Sequence, residues 1–99
     1  MTTSAREILD VLERNAPAIR RHGVRTLGLF GSASRGAARD TSDLDFVVEF
    51  ERKSFDAYMD LKAFLEGLLG RRVDLVMRDV IKPRLRQTIL AETVYVPGL

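Results

Sequence analysis

Cysteine is absent from the 99 residues. That excludes disulfides, thiolate metal sites and cysteine nucleophiles, and it suits a reducing, cytoplasmic setting. Long apolar runs are missing as well: none approaches the roughly 20 residues that a membrane-spanning helix needs. The opening Met1-Thr2-Thr3-Ser4 lacks the basic-then-apolar order of a secretory leader. Charge of one sign is also scarce. The net charge is +2, and acids and bases are mixed along the chain. Direct nucleic-acid binding by charge alone is therefore not expected. No repeat, low-complexity run or linker interrupts the sequence. What is there is an apolar content of 45%, too high for a disordered polypeptide and enough for one core in a single domain over residues 1–99.

The patterning predicts alternating helices and strands. Ser4 followed by Glu7 is a capping box, and Ile8, Leu9, Leu12 and Ile19 then recur at helical spacing. Pro17 argues against one long helix, so Asn15 is expected to cap a second short one that ends at Gly23. Arg20, Arg21 and His22 suit a helix C-terminus. Val24 to Phe30 reads as a first strand. Residues 32–41, rich in Gly, Ala and Ser, read as a turn with at most a short helix. Residues 43–50 form a second strand with clean alternation: Leu44, Phe46, Val48 and Phe50 on one face, Asp43, Asp45, Val47 and Glu49 on the other. Ser54 can cap a helix to about Leu69, with Tyr58, Leu61, Leu65, Leu68 and Leu69 inward and Gly70 as its end. Val73 to Met77 is a third strand, Pro83 opens a last helix to about Glu92, and residues 94–96 can add a terminal strand. The expected fold is α/β of the α+β type: a small mixed sheet with helices packed on one face and acids on the other.

The chemistry concentrates in Gly31-Ser32-Ala33-Ser34-Arg35-Gly36 and Ser42-Asp43-Leu44-Asp45. Residues two apart on a strand share a face, so Asp43 and Asp45 project together. Such carboxylates repel unless protonated or bridged by a cation, and a hard ion such as Mg²⁺ binds through a few carboxylates plus substrate phosphates. Asp74 is an acid inside an apolar strand, where an unpaired charge is costly. If the third strand lies beside the second, Asp74 completes a three-acid cluster able to hold metal astride a phosphoryl group. Gly31-Ser32 follows a strand directly, where backbone N–H groups and the serine hydroxyl can cradle phosphate oxygens.

Each of these features has a plainer reading. An Asp-x-Asp pair commonly sits in a solvated turn, Gly-Ser can be a turn with a helix cap, and Asp74 can be an edge charge that discourages aggregation. Arg35 either offers a cation to the triphosphate or pairs with Asp40 or Asp43. Lys82, Arg84 and Arg86 are either a solvated helix face or a surface for an acidic partner. Ser34 and Ser42 read as turn and capping groups, Asp79 as the start of a turn, Glu49 as peripheral, His22 as helix-end punctuation and Tyr58 as core.

Taken together, Gly31-Ser32, ten residues, then Asp43-Leu44-Asp45, with a third acid at Asp74, resemble the signature of the DNA polymerase β-like nucleotidyltransferase superfamily. Within it the short chain is similar to the minimal nucleotidyltransferase (MNT, MntA-like) proteins, antitoxins of helical HEPN-domain RNase toxins. The resemblance implies ATP as substrate and Mg²⁺ as cofactor, two ions when ATP is bound. It implies that Asp43 and Asp45 ligate both metals and that Asp74 ligates one and helps deprotonate the acceptor. Gly31 and Ser32 would bind the nucleotide; Arg35, from its place in the sequence and not from the resemblance, is the further candidate for that site. It further implies AMP transfer to a tyrosine of the toxin, the chain's protein partner, and leaves room for a homodimer. Two other functions fit the sequence: a non-catalytic module that masks the toxin, and the catalytic subunit of an aminoglycoside-type, small-molecule nucleotidyltransferase.

Overall fold

The chain enters through two short helices that meet at Asn15: α1 (Ala5–Arg14) and α2 (Ala16–Arg21). The computed structural model describes residues 4–34 and 43–99. Ser4 begins α1 as expected, its hydroxyl accepting from the Glu7 N–H at 3.1 Å and donating to the Glu7 carboxylate at 3.3 Å. Pro17 sits in the first turn of α2, where its missing N–H costs nothing. Asn15 occupies the cap position but caps nothing with its side chain: the amide donates instead to the Val11 carbonyl at 2.8 Å. Asn15 therefore serves both helices: its side chain closes α1, and its carbonyl accepts from the Ile19 N–H at 3.0 Å to start α2.

Strand β1 (Val24–Phe30) pairs antiparallel with β2 (Leu44–Phe50), and β2 pairs parallel with β3 (Val73–Met77). The link from β2 to β3 is α3 (Phe55–Leu69). The Ser54 hydroxyl caps α3 by accepting from the Ala57 N–H at 2.9 Å, and the helix ends at Gly70. After β3 comes a single 3-10 turn, Arg78–Val80, then α4 (Pro83–Glu92) and a two-residue strand β4 (Val94–Tyr95) antiparallel to β1. The expected terminal strand is therefore present, and the Val96 N–H extends its pairing by donating to Leu27 at 2.8 Å. Among the described residues the sheet order is β3-β2-β1-β4.

The core fills one face of this sheet. Leu27 and Leu29 of β1, Leu44, Phe46 and Val48 of β2, and Val73 and Leu75 of β3 meet Ile8, Leu12 and Ile19 from the first helices and Leu61 and Leu65 from α3. A register shift between Val24 and Thr26 resets the alternation, so Val24 and Leu27 both face inward. Tyr58, half-buried against the core, donates its hydroxyl to the Leu75 carbonyl at 2.6 Å and ties α3 to β3. The end of α4 reaches the sheet's other face. Gly28 points away from the Leu27 and Leu29 side, and the Thr93 methyl lies where its Cβ would stand.

Candidate active site

The fold carries the sequence's acids to one end of the second face. Asp45 on β2 and Asp74 on β3 are register partners. In a parallel pair, partners project to the same side, about 4.8 Å apart between strands. Their neighbours Leu44, Phe46, Val73 and Leu75 are all buried in the core, so alternation commits both aspartates to the opposite face. Two hydrogen bonds from backbone amides lock the strand starts. The Leu44 N–H donates to the Arg72 carbonyl at 3.0 Å, and the Val73 N–H donates to the Glu66 carboxylate at 2.9 Å.

Asp43 lies immediately before β2, one residue outside the strand expected at 43–50, and is exposed. Among the described residues no three acidic or histidine side chains gather tightly enough to form a ready-made ligand set. The expected convergence of Asp43, Asp45 and Asp74 on one point is thus not drawn in their side chains. Three like charges oppose close approach, and what the backbone supplies is a shared face. Arg35, together with Gly36, Asp40 and Ser42, lies outside the described residues.

Gly31 and Ser32 open the turn that follows β1. Gly31 has φ +75°, a conformation that other residues reach only at a cost. A Cβ there would run into the Asp45 carboxylate. The turn and the acid therefore touch, and only glycine leaves the gap. Three contacts hold the turn in place. Ala33 is buried in the core. The Ser34 hydroxyl donates to the Gly31 carbonyl at 2.9 Å, the turn role expected of it. The Gly31 N–H donates to the Glu92 carboxylate at 3.2 Å, from the last residue of α4. Among the described residues neither the N–H nor the hydroxyl of half-buried Ser32 takes a protein partner.

Glu92 and Glu66 are the contributors that sequence reasoning missed. Glu66 lies within the helix expected from Ser54 to Leu69 and Glu92 only bounds the last helix, and no spacing rule links Glu92 to a glycine 61 positions away. Several other polar residues make structural contacts. Glu49 pairs with Arg78 at 3.7 Å. Asp79 sits in the 3-10 turn and pairs with Lys53 at 2.5 Å. Arg86 donates to the Ile81 carbonyl at 2.9 Å, whereas Lys82 and Arg84 remain exposed. The His22 ring packs on Phe64 at 5.0 Å between centroids, at the end of α2.

The donor chemistry fits a hard divalent cation and a polyphosphate. Carboxylate oxygens are what Mg²⁺ takes, and it commonly leaves several positions to phosphate and water. The absence of a Cβ at Gly31 lets the turn pack against the Asp45 carboxylate, which places the Ser32 N–H and hydroxyl close to those acids.

Comparison with known proteins gives this geometry a context. The profile of a family described as "nucleotidyltransferase domain" matches residues 5–96. Protein adenylyltransferase MntA of Thermococcus cleftensis is 45% identical over 92 residues, covering 91% of this chain and 93% of that protein. A solved structure assigned provisionally as a minimal nucleotidyltransferase superposes with a TM-score of 0.74 at 42% identity, covering 87% of this chain and 93% of the other. One chain of a toxin–antitoxin crystal structure with AMP-PNP superposes with a TM-score of 0.70 at 25% identity, covering 88% and 73%.

Proposed function

This chain belongs to the nucleotidyltransferase domain family, and from that premise we propose that it is a magnesium-dependent protein adenylyltransferase. It moves AMP from ATP onto a tyrosine hydroxyl of a HEPN-domain RNase toxin and so acts as that toxin's antitoxin, in the cytoplasm. The observation that carries the reading is the pairing of Asp45 with Asp74 beside the Gly31-Ser32 turn. The name of the Thermococcus relative, a protein adenylyltransferase, supports protein as the acceptor. The toxin–antitoxin structure with AMP-PNP supports an adenine nucleotide and a toxin partner.

Asp43 and Asp45 would hold two magnesium ions when ATP is bound, and Asp74 would share one of them. Magnesium held there would neutralise phosphate charge and make the acceptor hydroxyl easier to deprotonate. The chain's residues then have separate tasks. The N–H and hydroxyl of Ser32 hold phosphate oxygens, and Arg35 adds a cation to the triphosphate. Asp74 faces the acceptor and takes its proton. The tyrosine oxygen forms a bond to the α-phosphorus, the bond from that phosphorus to the bridging oxygen of the β-phosphate breaks, and pyrophosphate leaves with the electron pair. The fixed strand starts at Leu44 and Val73 keep donors and base aligned, which is where most of such a rate enhancement originates.

The test is the intact mass of a co-expressed HEPN toxin, with and without this chain. A gain matching one or more AMP groups, lost in the Asp43→Asn plus Asp45→Asn double variant, is the expected result. If the folded double variant still protects cells, masking without chemistry accounts for neutralisation. Label from ATP that reaches an aminoglycoside and never protein would overturn the tyrosine acceptor.

A further inference from the structure

Glu92 lies outside the Gly-Ser and aspartate motif, yet it ties the end of α4 to the nucleotide turn through a backbone amide. Its carboxylate accepts from the Gly31 N–H at 3.2 Å and is partly buried. An acid at this position is electrostatically unexpected. Glu92 is the last residue of α4, where the helix dipole disfavours negative charge, and the last turn holds no basic residue to offset it. The Gly31 amide supplies a compensating partner. Gly31 is then committed on every side: its N–H to Glu92, its carbonyl to Ser34, and its Cα against the Asp45 carboxylate. The next residue, Ser32, keeps an N–H and a hydroxyl without a protein partner among the described residues.

We propose that Glu92 is a positioning residue for phosphate binding: by occupying the Gly31 amide it fixes the turn so that Ser32, not Gly31, presents its N–H and hydroxyl to the triphosphate. The inference rests on the nucleotide-binding reading above. It adds a division of labour inside the turn and a role for the end of α4. The hydrogen bond is what acts, so an acceptor without charge can replace it.

Calorimetric titration of magnesium–ATP into the full chain and into Glu92→Ala and Glu92→Gln tests this. The alanine removes the acceptor, and the glutamine keeps an amide oxygen while dropping the charge. Thermal melts establish that each variant folds. Glu92→Ala is expected to raise Kd for magnesium–ATP about tenfold, which is 1.4 kcal/mol and the scale of a charge-assisted hydrogen bond. Glu92→Gln stays near the wild type. In transfer assays the alanine variant raises KM for ATP and leaves kcat little changed. Equal affinity of Glu92→Ala and wild type overturns the proposal, as does a Glu92→Gln that binds as weakly as Glu92→Ala. A second measurement needs no variant. In ¹⁵N-labelled wild-type protein, magnesium–ATP should shift the Ser32 amide resonance strongly while the Gly31 amide remains protected from exchange. A Gly31 amide that loses protection and shifts most on nucleotide addition also overturns it. Wild-type protein that takes up no magnesium–ATP removes the nucleotide reading and this inference with it. Wild-type uptake matched by Glu92→Ala removes this inference alone.

Discussion

Asp45 and Asp74 stand in register on adjacent parallel strands, so two carboxylates leave the sheet side by side on the face opposite the core. Neither can turn away. Each is flanked along its strand by buried apolar neighbours, Leu44 and Phe46 for one and Val73 and Leu75 for the other. A one-residue slip that moved an acid elsewhere would drive those side chains into water. The hydrophobic core thus pays the cost of holding like charges together.

Replacing one acid by its neutral isostere separates stability from function. Asp74→Asn should abolish most AMP transfer, by a hundredfold or more, since proton transfer by a placed side chain contributes about that much. Removing a like charge directly opposite another should leave stability unchanged or raise it by ~0.2–1 kcal/mol. Transfer of labelled AMP and thermal unfolding in the presence of chelator measure the two effects. A variant that loses stability but keeps activity would show that Asp74 is there for the fold.

Gly31 tests the contact between turn and acid. Gly31→Ala places a Cβ at φ +75° and against the Asp45 carboxylate. Backbone strain alone should cost about 1–2 kcal/mol. The collision moves the acid or the turn, so nucleotide affinity falls as well. Urea unfolding and nucleotide titration check both. An alanine variant that binds ATP as the wild type does would mean that the close contact between Gly31 and Asp45 plays no part in nucleotide binding.

Much of this was legible in the sequence because local signals and tertiary packing agree. Alternation along 44–50 set which side of β2 meets the core, and the Ser54 cap and Gly70 stop bounded α3 as expected. The pairing of Asp45 with Asp74 followed from one conditional, that β3 lies beside β2, and the parallel register fulfils it. Long-range polar contacts were not legible. Nothing near Glu92 or Glu66 in the sequence marks them as acceptors for Gly31 and Val73, because the amides they serve are brought to them by the sheet. Asn15 holds the cap position of α2 as expected, but its side chain does not do the capping. Its residue type favours helix caps, but an amide can also donate backwards to Val11, and here it does.

Tyr58 offers a test of the fold apart from the site. Its hydroxyl bonds the Leu75 carbonyl at 2.6 Å, from the far side of the sheet relative to the acids. Tyr58→Phe leaves that carbonyl short of a partner and should cost about 1 kcal/mol. The urea midpoint should fall with an unchanged slope, and AMP transfer should stay as in the wild type. A loss of transfer at full stability would place Tyr58 in the functional machinery.

The Lys53–Asp79 pair predicts an acid-side signature. The Lys53 ammonium donates a hydrogen bond to the Asp79 carboxylate and attracts its charge, with Arg86 and Arg78 adding to the attraction. Together they hold the carboxyl below its ordinary value of 3.8. A group whose pKa is lower folded than unfolded binds fewer protons in the folded chain. Its stabilisation is therefore complete above the ordinary value and is lost as pH falls through the lower, folded one. Lys53→Met should melt below the wild type near neutral pH, with the gap closing as the solution is acidified through that window. Both side chains are more than a third exposed, so the effect is small and shrinks further in high salt. Paired melting curves between about pH 2 and pH 6 cover the window in which such a carboxylate titrates. A gap that stays constant, or widens on acidification, would remove Lys53 as the cause of the lowered pKa.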